Sequence, residues 1–114
     1  VTTSTSEPAP EPTAPEPADP ERAPASTLAE ETQQLEQARA ALRRGEALAA
    51  LAVVDEHLRR FPRGLLVDEA RSTRLRALCA AGRHDQAQAF AHALSGGAAS
   101  SRWHRIVSAS CSAP

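Results

Sequence analysis

The chain has 114 residues, a formal net charge of −1, 41% hydrophobic residues, 3% aromatic residues, and neither Met nor Tyr. That length holds one small domain and excludes a doubly wound nucleotide-binding fold or a (β/α)₈ barrel. No run of 18 apolar residues is present, so no membrane-spanning helix is expected in this stretch.

Residues 1–26, VTTSTSEPAPEPTAPEPADPERAPAS, hold seven of the nine prolines, five acids (Glu7, Glu11, Glu16, Asp19, Glu21) and one base (Arg22), a net charge of −4. Proline removes backbone donors and disfavours helix in the residue before it. Like charges repel, and little apolar area is available to offset the entropy of ordering. The segment is expected to be a disordered Pro/Ala/Glu-rich linker, extended enough to space a domain from an anchor upstream. The opening Val-Thr-Thr-Ser-Thr-Ser, without an initiator Met or a signal-peptide pattern, reads as a piece of a longer or processed chain.

From Thr27 onward the apolar residues take a helical period, which defines a helical domain over residues 27–110. Thr27 and Glu30 have capping-box spacing. Leu28, Leu35 and Leu42, with Ala38 and Ala41, stripe a helix over 28–44, which Gly45 interrupts. Leu48, Leu51, Val54 and Leu58 stripe a second over 46–60, which Pro62 stops. Leu66, Ala70, Ala77, Leu78 and Ala81 stripe a third over 65–81, broken by Gly82. Ala87, Phe90, Ala91 and Leu94 make a fourth over 84–94, ended by Gly96-Gly97. Trp103, Ile106 and Val107 belong to a terminal helix near 100–109. Connections of two to four residues make consecutive helices antiparallel neighbours. The fold class is all-α.

Residues 27–114 carry nine acids and twelve bases, a net charge of +3, and every base in the chain is Arg. The bases cluster as Arg43-Arg44, Arg59-Arg60-Arg63 and Arg71-Arg74-Arg76. Arginine at a helix C-terminus complements the helix dipole without any partner. Nucleic-acid binding needs one contiguous positive face, and an acidic peptide is the better match. His57, His84, His92 and His104 show no metal-ligand spacing, and no nucleophile elbow is present. No catalytic residue, metal or cofactor is expected. Cys79 and Cys111 are 32 residues apart. They are either free core thiols or a disulfide pinning the C-terminal segment, which would point to an oxidising compartment.

A repeat underlies the helices. Gly45 and Gly82 stand 37 residues apart, in ALRRGEALAAL and ALCAAGRHDQAQAF, each with Ala five residues on, at Ala50 and Ala87. With Ala38 and Pro62 this resembles the tetratricopeptide repeat, a helix–turn–helix unit of about 34 residues. Leu75 and Ala99 depart from the family's small-residue and proline positions in the second unit. The resemblance implies two antiparallel helical hairpins plus a C-terminal capping helix, and a groove lined by the first helix of each pair. Gln34, Gln37, Ala41, Arg71, Arg74 and Leu78 are the partner-binding candidates on that pattern. The stretch from ALRRG through HLRRFPRG to the Cys-ending tail is similar to C-terminal domains of bacterial envelope lipoproteins and FecR/anti-sigma-type membrane regulators. The expectation is a non-catalytic protein-interaction domain, periplasmic or membrane-anchored in the envelope. The alternatives are a dimerisation or spacer module, a regulatory nucleic-acid-binding domain, and a cytoplasmic location.

Overall fold

A computed structural model describes residues 23–98 and 101–112. The described residues form five helices and no strand: α1 (Ala23–Arg43), α2 (Ala47–Arg60), α3 (Val67–Ala80), α4 (His84–Ser95) and α5 (Arg102–Cys111). The linker expected over 1–26 lies outside the described residues up to position 22. From Ala23 the chain is helical, so the boundary sits four residues earlier than the composition implies. Pro24 is compatible with that start, because first-turn residues have no intrahelical acceptor for their N–H groups. Thr27 therefore lies inside the helix and cannot be its cap.

The connections after α1 and α3 are closed by the same hydrogen bonds. Gly45 N–H donates to Leu42 and Glu46 N–H to Ala41; 37 residues on, Gly82 N–H donates to Cys79 and Arg83 N–H to Leu78. Both glycines have φ of +78°, the left-handed region where a Cβ is disfavoured. The following helices also open alike, with Ala50 N–H donating to Glu46 and Ala87 N–H to Arg83. Ala50 and Ala87 are both fully buried.

Leu35, Ala38 and Ala41 of α1, Leu51 and Val54 of α2, and Leu75, Ala77 and Leu78 of α3 form the centre of the core. Helix α3 packs on all four other helices. Helix α5 closes the far end by burying Trp103 and Val107. Ser101 caps it, its hydroxyl accepting from His104 N–H at 3.3 Å. Leu48, placed on the second apolar stripe by its spacing, is instead exposed, as is Leu65, which precedes α3 rather than starting it. Core contact on α2 runs along Ala50, Leu51, Val54 and His57, and this face excludes Leu48.

Candidate functional site

Two features stand out once the helices are placed: a polar cleft across α1, α3 and α5, and a buried carboxylate–imidazole pair under the α2–α3 connection. The cleft has a volume of about 370 Å³ and is lined by Arg39, Leu65, Asp68, Glu69, Ser72, Arg76, Arg102 and Ile106. One of its carboxylates is already neutralised: Asp68 accepts from Arg102 at 2.9 Å and Arg71 at 3.3 Å. Arg102 also lies over the Trp103 ring, 4.3 Å from its centroid. Arg39 and Arg76 have no ion-pair partner among the described residues, and Glu69 is the remaining acid of the lining. Leu65, 67% exposed, and the half-buried Ile106 give the cleft apolar ground beside those two guanidinium groups.

The arginines elsewhere are mostly engaged. Arg43 pairs with Glu36 at 2.9 Å, Arg44 with Glu46 at 3.0 Å, Arg60 with Glu30 at 3.5 Å, and Arg59 with Glu56. They are spread over the ends of α1 and α2 rather than along one stripe.

The six residues named from the repeat pattern do not converge. Ala41, 2% exposed, and Leu78, 0%, are core residues and offer no surface. Each sits one turn before its connection and faces inward, where its carbonyl also accepts the closing hydrogen bond of that turn. Gln34 and Gln37 line a separate shallow recess with Glu30, Gln33 and Arg60, of about 290 Å³. Arg71 holds Asp68 at 3.3 Å. Arg74 points away from the α1–α3–α5 cleft, donating to Asp55 at 2.7 Å and lying 4.5 Å from the Phe90 ring centroid. The α1–α3–α5 cleft is lined instead by other residues of α1 and α3 and by Arg102 and Ile106 of α5.

Sequence reasoning weighed His57 only as a metal ligand and did not single out Glu31, so their pairing was missed. Glu31 is 1% exposed and His57 0%, with Glu31 Oε1 3.6 Å from His57 Nε2. That separation exceeds a hydrogen bond. Oε1 instead accepts from Leu66 N–H at 3.0 Å, so the α1 carboxylate holds the chain as it enters α3. Gly64 makes room for this: a Cβ there would collide with the Glu31 carboxylate. Glu31 Oε2 and both His57 ring nitrogens have no hydrogen-bond partner among the described residues. Burial pushes the His57 pKa below the ordinary imidazole value, and Arg60 adds to that. The facing Glu31 carboxylate opposes the shift without overcoming it. The Phe61 ring meets the imidazole edge-on at 5.4 Å. A signal was present in the sequence. Glu31 falls four residues before Leu35 and seven before Ala38, and His57 three after Val54, so each is a polar residue on an apolar stripe.

Cys79 and Cys111 form a disulfide, Cα to Cα 4.7 Å, joining the end of α3 to the end of α5. Cys111 is the last residue of α5, not a position beyond it. Among the described residues, no three His, Cys, Asp or Glu side chains are grouped to hold a metal ion, and no helix is long and apolar enough to cross a membrane. No family model, curated protein or solved structure matches the chain.

Proposed function

We infer that this chain is a non-catalytic protein-interaction domain of two tetratricopeptide-like hairpins and a capping helix, and that its α1–α3–α5 cleft takes an extended acidic peptide. The carrying observation is the pair Arg39 and Arg76. Both face the cleft without an ion-pair partner among the described residues, beside Leu65 and Ile106. A guanidinium presents a planar fork of donors suited to a carboxylate. The apolar ground suits the small or cyclic side chains between acids. The repeat reading draws support from the two turns, which share their hydrogen bonds and their φ of +78° at a spacing of 37 residues. An envelope location is consistent with the Cys79–Cys111 disulfide, because such bonds persist in oxidising compartments.

The test is a titration of the isotope-labelled protein with an acidic, proline-spaced peptide, followed by amide chemical shifts. Shifts centred on Arg39, Ser72, Arg76 and Ile106 are expected. Arg39→Gln with Arg76→Gln should weaken binding about tenfold, at roughly 0.7 kcal/mol per exposed charge-assisted contact. Shifts centred on the Gln34–Gln37 recess, or affinity unchanged in the double variant, would remove the cleft from this reading.

A further inference from the structure

We propose that Asp68 is a built-in competitor for the cleft: its carboxylate holds Arg102 where a ligand's acid would sit, and a partner binds by exchanging its own carboxylate for Asp68 on that guanidinium. This rests on the reading of the cleft as an acidic-peptide site and adds the residue that sets which acidic peptides it accepts.

Three observations carry it. The first is the pairing. Asp68 Oδ2 lies 2.9 Å from Arg102 and Oδ1 lies 3.3 Å from Arg71, so one carboxylate spans two guanidinium groups. Arg102 lines the cleft with Arg39 and Arg76, whereas Arg71 does not. A carboxylate of the chain itself already occupies the one cleft arginine that comes from α5.

The second is which partner is free to leave. Asp68 stands in the first turn of α3, where the helix dipole favours an acid, and it accepts a hydrogen bond from Arg71 three residues on. Asp68 is therefore held in place without Arg102. Arg102 is the first residue of α5, where the dipole disfavours a cation, so the helix itself gives no reason for it. Its guanidinium lies over the buried Trp103 ring, 4.3 Å from the centroid. That platform keeps the group at the cleft wall while it changes carboxylates.

The third is exposure. The Asp68 and Arg102 side chains are each 52% exposed. An ion pair this open to water is worth little, so a second carboxylate can displace the first. The lining carries a net charge of +1, from three arginines against Asp68 and Glu69. A peptide with one acid is satisfied by Arg39 or Arg76 and leaves Asp68 undisturbed. A peptide with several spaced acids also takes Arg102 and gains from the exchange. The internal carboxylate thus sets a threshold that favours clustered acids over single ones.

The experiment titrates a synthetic proline-spaced peptide carrying three Glu into five full-length proteins. These are the unmodified chain, Asp68→Asn, Arg102→Gln, Arg71→Gln, and the double variant Asp68→Asn with Arg102→Gln. Binding is read from amide shifts at Arg39, Ser72, Arg76 and Ile106, and engagement of Arg102 from the Trp103 indole N–H shift. Asp68→Asn should bind about threefold more tightly, the fold-change that one exposed ion pair supplies. That gain should vanish when Arg102 is also changed to Gln. Arg71→Gln lies outside the cleft, yet it should weaken binding by about the same factor, because Asp68 then rests on Arg102 alone. Cleft binding that Asp68→Asn leaves unchanged, or tightens equally with and without Arg102, overturns the competitor and leaves the cleft reading intact. Equal tightening would mean that net charge alone acts. Absence of cleft shifts in all five proteins overturns both. If Asp68→Asn does not fold, Arg71→Gln decides, and an affinity equal to that of the unmodified chain overturns the exchange.

Discussion

Glu31 is a carboxylate buried against the core, and its position explains Gly64. The carboxylate occupies the space a Cβ would need and binds the Leu66 N–H at 3.0 Å. Gly64→Ala should destabilise the domain by about 1–3 kcal/mol, because either the carboxylate or the connection must shift. Glu31→Ala should also destabilise, by about 1–3 kcal/mol, because it leaves a half-buried backbone donor without its acceptor. The double substitution should cost less than the sum of the two, since the collision disappears with the carboxylate. Urea melts of the four proteins check this, and strict additivity would count against the contact. His57 sets a pH dependence. Its folded pKa is lowered, so below the ordinary imidazole value near 6.5 the unfolded chain binds more protons than the folded one. Its neutral form is compatible with the fold above that value, and stability should fall as pH drops from about 6.5 towards the lower folded value. His57→Gln should flatten that part of the profile. An unchanged slope would place the titration elsewhere.

At the scale of elements, the two connections closed by Gly45 and Gly82 are the clearest case of sequence dictating geometry. Each glycine has φ of +78° with no atom within 4 Å of a hypothetical Cβ. The cost of substitution is therefore in the backbone alone. Gly45→Val and Gly82→Val should each destabilise by about 1–2 kcal/mol, and Asn at either site by less, because Asn tolerates the left-handed region. Equal effects at the two sites, measured by denaturant melts, are the specific expectation of a repeat. A near-zero cost at one of them would separate the turns. Helix ends were less legible than helix existence. Helix α1 is described from Ala23, a start that Pro24 does not oppose in a first turn, and the period of Leu28, Leu35 and Leu42 carries no marker of where it starts.

For the whole molecule, the Cys79–Cys111 bond is a covalent constraint on the C-terminal helix. It ties α5 to α3, and α5 supplies Arg102 and Ile106 to one wall of the cleft. Closing a loop of this length contributes about 3–4 kcal/mol in the chain-entropy model. Reduction should lower the melting temperature and shift Trp103 emission to the red as the helix frays from its Cys111 end. It should also weaken peptide binding at the cleft. A reduced protein with an unchanged melt and unchanged Trp103 emission would mean that packing alone holds α5.

Taken alone, the chain's residues determined the five helices, their order, the two glycine turns and the apolar composition of the core. These depend on local periodicity and on backbone conformations that only certain residues adopt. They also put Glu31 and His57 on apolar stripes, but periodicity cannot say what a buried polar group will meet, because its partner comes from another element. The same limit applies to the surface. Periodicity put Ala41 and Leu78 on apolar stripes and the repeat resemblance made them groove candidates; both are buried in the core. Arg39, Arg76 and Arg102 come from three helices separated by dozens of residues. Their gathering around one cleft was decided only by how α3 packs between α1 and α5, because the rotation of a helix about its axis is fixed by all its neighbours at once.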